Sequence, residues 1–301
     1  MIDRRQFLIA TGAASALVAT RAQAHKHRPL GGASLMRAIA DIENQSGGRL
    51  GVAVHDTATG HRFEYRADER FPLCSTFKFL LAAAVLQRVD RGQEKLERPL
   101  PVKAGDLVEY SPFTQTRVGK SASVAELCEA AMTLSDNAAA NLLLPSIGGP
   151  AGLTAFASTI GDQVTRLDRN EPALNSALAE DPRDTSSPNA MIANLQKLLV
   201  DAELKAASRT QLQAWMLACR TGDKRLKAGL PSDWQVGDKT GSGSNGTTND
   251  LAIAWPPKRA PLLIACYLTG SKLDSGGRDT IHLRVAKVIA IHIADKDVSD
   301  G

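Results

Sequence analysis

Ser75-Thr76-Phe77-Lys78-Phe79-Leu80-Leu81-Ala82-Ala83-Ala84-Val85-Leu86-Gln87-Arg88-Val89-Asp90 is the stretch on which the fold turns. Its apolar run is too long and continuous for a strand, so residues 75–90 read as a helix buried all round. Such a helix needs other elements around it. Upstream, Ser34 caps an amphipathic helix with Leu35, Ile39 and Ile42 on one face, ended by Gly47-Gly48. Residues 50–55 and 61–65 flank the turn Thr57-Ala58-Thr59-Gly60 as a hairpin. Downstream, Ser123 with Glu126 at capping-box spacing opens a helix over 124–134. A second spans 138–146 and is stopped by Gly148-Gly149-Pro150; others cover 189–200 and 208–219. Past Trp234 the pattern changes. Residues 236–242, 249–255 and 262–268 read as strands, and a final helix covers about 279–294, with Ile281, Val285, Val288, Ile289 and Ile291 apolar.

Strands at both ends and helices between them predict an α/β (α+β) fold: one antiparallel sheet from the N- and C-terminal segments, flanked by helices. Residues 25–69 and 216–301 form that α/β part, and an all-helical subdomain over 70–215 is inserted into it. Residues 165–188 hold Pro172 and Pro182 and lack periodicity, which predicts a long functional loop centred on 166–184.

Composition bounds the function. The 301 residues are 43% hydrophobic, 23% charged and 4% aromatic, a globular profile. A formal charge of +4, with Lys and Arg scattered, speaks against a nucleic-acid partner. Residues 1–24 read as an export signal: Arg4-Arg5-Gln6-Phe7-Leu8, a short apolar run to Ala19, then the small-x-small site Ala22-Gln23-Ala24. The paired arginines resemble a twin-arginine signal, whose cargo crosses already folded, and the destination is the periplasm. Cleavage removes Arg4, Arg5, Arg21 and Asp3 and leaves a charge of +2. No apolar stretch of about 20 residues follows, so no membrane span is expected. Cys74, Cys128, Cys219 and Cys266 form no CxxC and have no accompanying histidines, which predicts neither a metal site nor an essential disulfide. No cofactor is expected, and a monomer is the default.

Three short motifs carry the chemistry: Ser75-Thr76-Phe77-Lys78, Ser135-Asp136-Asn137 and Lys239-Thr240-Gly241. Singly they are weak; together they arise by chance on the order of once in several hundred chains. Positions i and i+3 share a helix face, so the Lys78 amine can approach the Ser75 hydroxyl. A serine needs a neighbouring base to become a nucleophile. Crowding by a second cation, Lys239, would lower the Lys78 pKa enough for it to serve. The Ser75 N–H, at the start of the helix, and the N–H of Ser242 could hold an oxyanion.

S-x-x-K, S-D-N and K-T-G in this order resemble the penicillin-recognising serine acyl-transferases, which include class A β-lactamases and penicillin-binding proteins. The resemblance to class A spans essentially the whole mature chain. It is strongest at 71–78 and at Lys239-Thr240-Gly241-Ser242-Gly243, and Glu171-Pro172-Ala173-Leu174-Asn175 resembles the class's E-x-x-x-N loop motif. The resemblance implies a metal-free enzyme in which Ser75 attacks the β-lactam and Lys78 and Ser135 handle protons. Glu171, with Asn175, would activate the water that deacylates. It also implies that Asn137 binds the substrate side-chain amide. Lys239, Thr240, Gly241 and Ser242 would recognise the carboxylate, Tyr110 would form a wall, and Arg169 and Asp184 would tie the loop ends. Asp136 would be structural. Whether Lys78 or Glu171 takes the first proton stays open at this point.

There are departures. Thr248 stands where many members have an arginine for the carboxylate, and Arg225 falls where others place a substitute. Cys74 matches one cysteine of the carbapenem-hydrolysing members, but Gly243 stands at the position of their second; Cys128 matches one half of another family disulfide, but Ala82 occupies the partner position, so neither disulfide is expected. The run from Ser242 to Asp250 is most similar to cefotaxime-hydrolysing members, which implies an extended spectrum. The rival readings are a D-Ala-D-Ala carboxypeptidase, which lacks a Glu171 equivalent, and a sensor, which needs a membrane span or a partner domain. A zinc lactamase would need clustered histidines.

Overall fold

A continuous apolar run such as 262–268 marks a strand covered on both faces, and that strand forms the middle of the sheet. The computed structural model describes residues 32–299, with side chains as far as Ile293; the expected signal at 1–24 lies outside the described residues. Along the chain come α1 (Gly32–Ser46), β1 (Arg49–Asp56), β2 (Arg62–Tyr65), β3 (Phe71–Pro72), α2 (Phe77–Asp90), β4 (Pro99–Pro101), β5 (Ser121–Ser123), α3 (Val124–Thr133) and α4 (Asn137–Leu143). Then follow α5 (Gly149–Thr159), β6 (Thr185–Ser186), α6 (Pro188–Leu195), α7 (Ala206–Leu217), α8 (Leu226–Gly229), β7 (Gln235–Gly243), β8 (Thr247–Trp255), β9 (Leu262–Thr269) and α9 (Ser275–Ser299).

The sheet order is β2-β1-β9-β8-β7, antiparallel at every step. Because strand side chains alternate, the sheet feeds two cores. Leu263, Ala265 and Tyr267 of β9 join Leu251 and Ile253 of β8 against the helical layer built round α2. Leu262, Ile264, Cys266 and Leu268 face the other way, under Leu35 and Ile39 of α1 and Val285 and Ile289 of α9. Helix α2 is buried as expected: Phe79, Leu80, Leu81 and Val85 are all fully covered.

Some expectations are corrected. Ser34 is no cap, because α1 already includes Gly32; its hydroxyl hydrogen-bonds His292 Nε2 instead. Gly149-Pro150 opens α5 as well as closing the segment before it. Gly148, at φ 91°, terminates a 3-10 turn over Leu144–Ile147, and Pro150 then sits in a first turn, where its missing N–H costs nothing. The segment 70–215 is not purely helical: β3 pairs with β6 and β4 with β5. The Ser123–Glu126 capping box is present in full.

Candidate active site

Ser75 lies in a 3-10 turn, Cys74–Thr76, that runs directly into α2. Cys74 takes a left-handed φ of 45°, a conformation that costs a non-glycine residue energy and is concentrated at functional sites. The Ser75 hydroxyl caps nothing. It donates to Glu171 Oε1 at 3.0 Å and accepts from Lys78 Nζ at 2.9 Å, the i,i+3 approach that the spacing predicts.

Lys78 is fully buried, not a solvated helix charge. Its amine also donates to Ser135 O at 2.8 Å and Asn137 Oδ1 at 2.6 Å and lies 3.0 Å from Glu171 Oε1. Burial pulls its pKa down and the Glu171 carboxylate pulls it back up. The expected lowering is thus present, but desolvation is its main cause rather than the second lysine.

Asp136 is structural, as expected. It caps α4 through Ala139 N–H at 2.8 Å and accepts from the N–H groups of Phe113 and Thr114. That cap fixes Ser135, at φ 59°, beside Lys78, and Asn137, whose amide also donates to Glu109 O at 2.9 Å. From β7, the buried Lys239 donates to Ser135 Oγ at 3.1 Å and Thr240 O at 2.8 Å. Ser135 Oγ therefore receives two amines, with Lys78 at 3.5 Å. Burial lowers the Lys239 pKa to about 8.

Glu171 reaches the site from the long loop. Its backbone is clamped by one side chain that sequence reading passed over: Asn141 accepts from Glu171 N–H at 3.0 Å and donates to Glu171 O at 2.8 Å. The signal was available, since Asn141 is one helical turn beyond Asn137 on α4. Asn175 donates to Glu171 Oε2. The loop ends are tied as expected: Arg169 Nε meets Asp184 Oδ2 at 2.6 Å, and Asp184 Oδ1 accepts from the N–H groups of Asp168 and Arg169.

Strand β7 runs tightly along the turn that carries Ser75. A Cβ on Gly241 would lie 2.9 Å from Leu73 O, and one on Gly243 would lie 2.7 Å from Cys74 Sγ. Asn249 of β8 adds hydrogen bonds to Pro72 O and Leu73 O at 2.8 and 3.0 Å. The result is an open cavity of about 920 Å³ lined by Ser75, Tyr110, Ser135, Asn137, Asn175, Arg225, Thr240, Gly241 and Ser242. Lys78, Glu171 and Lys239 stand behind that wall. Glu109 and Arg220 also line the cavity and were not singled out from sequence. Arg225 is buried: its guanidinium pairs with Asp279 at 2.7 Å and donates to Gly241 O, Asn249 O and Ser242 Oγ. Thr248 is turned under α9, against His282 Nε2 at 3.2 Å. The four cysteines are buried free thiols. Among the described residues no group of three or more His, Cys, Asp or Glu side chains could hold a metal ion, and no helix is long and apolar enough to cross a membrane.

The sequence pattern of the β-lactamase enzyme family matches residues 34–293. The chain belongs to this family. β-Lactamase CTX-M-8 of Citrobacter amalonaticus is 45% identical over 251 residues, covering 83% of this chain and 86% of that one. β-Lactamase AST-1 of Nocardia asteroides is 44% identical over 294 residues, 95% of each chain. The solved structure of the last common ancestor of Gram-negative bacteria class A β-lactamase matches with a TM-score of 0.86 and 60% identity. That match covers 87% of this chain and 100% of the ancestor. The expected fold and class are therefore correct, and this β-lactamase is a class A β-lactam hydrolase.

Proposed function

We propose that this β-lactamase opens the lactam amide of penicillins and cephalosporins by attack of Ser75 Oγ and releases the acyl group with a water activated by Glu171, so conferring β-lactam resistance. One observation carries this reading: Glu171 Oε1 lies 3.0 Å from both Ser75 Oγ and Lys78 Nζ. Two bases thus stand within reach of the hydroxyl proton, and one of them is a loop carboxylate that remains beside the ester after acylation. Asn175 Oδ1, buried and without a hydrogen-bond partner among the described residues, leaves an acceptor next to that carboxylate for a water.

The other roles follow the cavity wall. Ser135 Oγ, between two amines, relays the proton to the departing lactam nitrogen. The N–H groups of Ser75 and Ser242 hold the oxyanion. Asn137 binds the acyl side-chain amide against Tyr110. Lys239, Thr240, Gly241, Ser242 and Arg225 receive the substrate carboxylate; Arg225 acts largely by orienting Ser242 Oγ at 2.8 Å. The enzyme works as a monomer without a metal or other cofactor, exported to the periplasm by the twin-arginine route, with the helical part inserted at 70–215.

The similarity to CTX-M-8 and the run from Ser242 to Asp250 support an extended spectrum. Ring-opening assays with benzylpenicillin and cefotaxime, on wild type and Ser75→Ala, test the whole reading. Expected are comparable turnover numbers for the two substrates and loss of both in Ser75→Ala. Undetectable cefotaxime hydrolysis would remove the extended spectrum, and hydrolysis surviving in Ser75→Ala would remove the nucleophile.

A further inference from the structure

Two arginines line the cavity, and they differ in kind. Arg225 is buried, and its donors go to Asp279, Gly241 O, Asn249 O and Ser242 Oγ. Arg220 is exposed at the rim, and among the described residues no acidic side chain forms an ion pair with it. Its place is nevertheless fixed. Its backbone N–H donates to Thr133 O at 3.0 Å, and its neighbour Thr221 shares a 2.5 Å hydrogen bond with Thr240. Arg220 therefore stands next to the strand that receives the substrate carboxylate, as a permanently charged guanidinium with open donors.

We infer that Arg220 is a specificity-determining residue that reads the charge of the substituent next to the substrate carboxylate, favouring β-lactams that carry a second anion there. This rests on the reading above, in which Thr240 and Ser242 hold the carboxylate. In a cephalosporin the C3 substituent is attached to the carbon adjacent to the one bearing that carboxylate, so it lies close to Thr240, and Arg220 and Thr221 line the cavity beside Thr240. An anionic C3 group gains a charge-assisted contact with Arg220, a neutral one gains little, and a cationic one is repelled. The other cations nearby, Lys78 and Lys239, are fully buried and already donate to protein oxygens, so neither can reach a group at the rim.

Ceftriaxone, cefotaxime and cefepime share one acyl side chain and carry anionic, neutral and cationic C3 groups, so their relative kcat/KM isolates the effect. In Arg220→Ala the ceftriaxone-to-cefotaxime ratio should fall about two- to fivefold, the size of an exposed ion pair. The change should lie in KM, and the cefepime-to-cefotaxime ratio should rise. Arg220→Lys should keep the wild-type order and Arg220→Glu should move it further than Ala. About 0.5 M sodium chloride should shrink the difference between wild type and Ala. Ratios that stay put in Ala and Glu, while wild type turns over all three substrates, would overturn the inference and leave the proposed function standing. A wild type that hydrolyses none of the three would overturn both.

Discussion

Ser75 and Glu171, 96 positions apart, meet through one hydrogen bond, Ser75 Oγ to Glu171 Oε1 at 3.0 Å. The same carboxylate oxygen lies 3.0 Å from Lys78 Nζ, so a single atom faces both the Ser75 hydroxyl and the amine beside it. A loop side chain keeps such a position only where its backbone is pinned. Asn141 pins the main chain of Glu171 itself, and Asp184 closes the loop behind it.

Asn141→Ala removes both main-chain ties to Glu171. Misplacement of a reacting group by about 1 Å costs on the order of 100-fold, so kcat should fall roughly 10- to 100-fold. Leaving the two main-chain groups unpaired should also cost about 1–3 kcal/mol of stability, measured by urea unfolding. Wild-type kcat in this variant would mean that the loop holds Glu171 without Asn141.

Much of this was legible in the sequence, and the misses have physical causes. Residues 79–86 and 262–268 announced themselves because burial on all sides leaves an unbroken apolar run, which no surface element shows. The motif residues Ser75, Ser135 and Lys239 converge on one oxygen-lined cluster as expected. Helix α5 was missed because Gly148-Gly149-Pro150 reads as a stop, although Leu153, Phe156 and Ala157 carry helical spacing and are buried. Asn141 was missed because an amide on a helix looks like any solvated polar residue until the loop that it grips is known. Arg220 was missed for the same reason. The pairs β3–β6 and β4–β5 are two or three residues long, below what periodicity can register.

Arg169→Ala strips the partner from Asp184, a carboxylate that is 1% exposed. Removing one member of a buried pair costs about 3–5 kcal/mol; Arg169 itself is 22% exposed, so a loss of roughly 2–3 kcal/mol is expected here. Asp184→Asn, which keeps the backbone acceptor, should lose less. Chemical denaturation of the two variants beside wild type checks the order.

The pH dependence follows from Lys239, whose pKa burial lowers to about 8. Below that value the amine is charged and, in the role proposed for it, attracts the substrate carboxylate; above it the charge is lost. The kcat/KM should therefore fall up to tenfold per unit above about pH 8. Lys239→Arg should move the alkaline limb upward, because a guanidinium stays charged. For stability the sign is opposite. Between about 8 and the ordinary lysine value of 10.5 the unfolded chain holds a proton that the folded one has released, so this group's contribution to stability rises with pH. An alkaline limb unmoved by Lys239→Arg would assign the titration elsewhere.

The division of labour between Ser75 and Glu171 is tested most directly by intact-protein mass spectrometry after mixing with benzylpenicillin, on wild type and Glu171→Gln. Wild type should consume the substrate and carry no lasting adduct. Glu171→Gln should gain the mass of one acyl group on Ser75 and keep it, with turnover reduced about 10²- to 10⁴-fold, the range of a lost general base. A stable adduct already on wild type, or an adduct on Glu171→Gln that clears at the wild-type rate, would contradict the role assigned to Glu171.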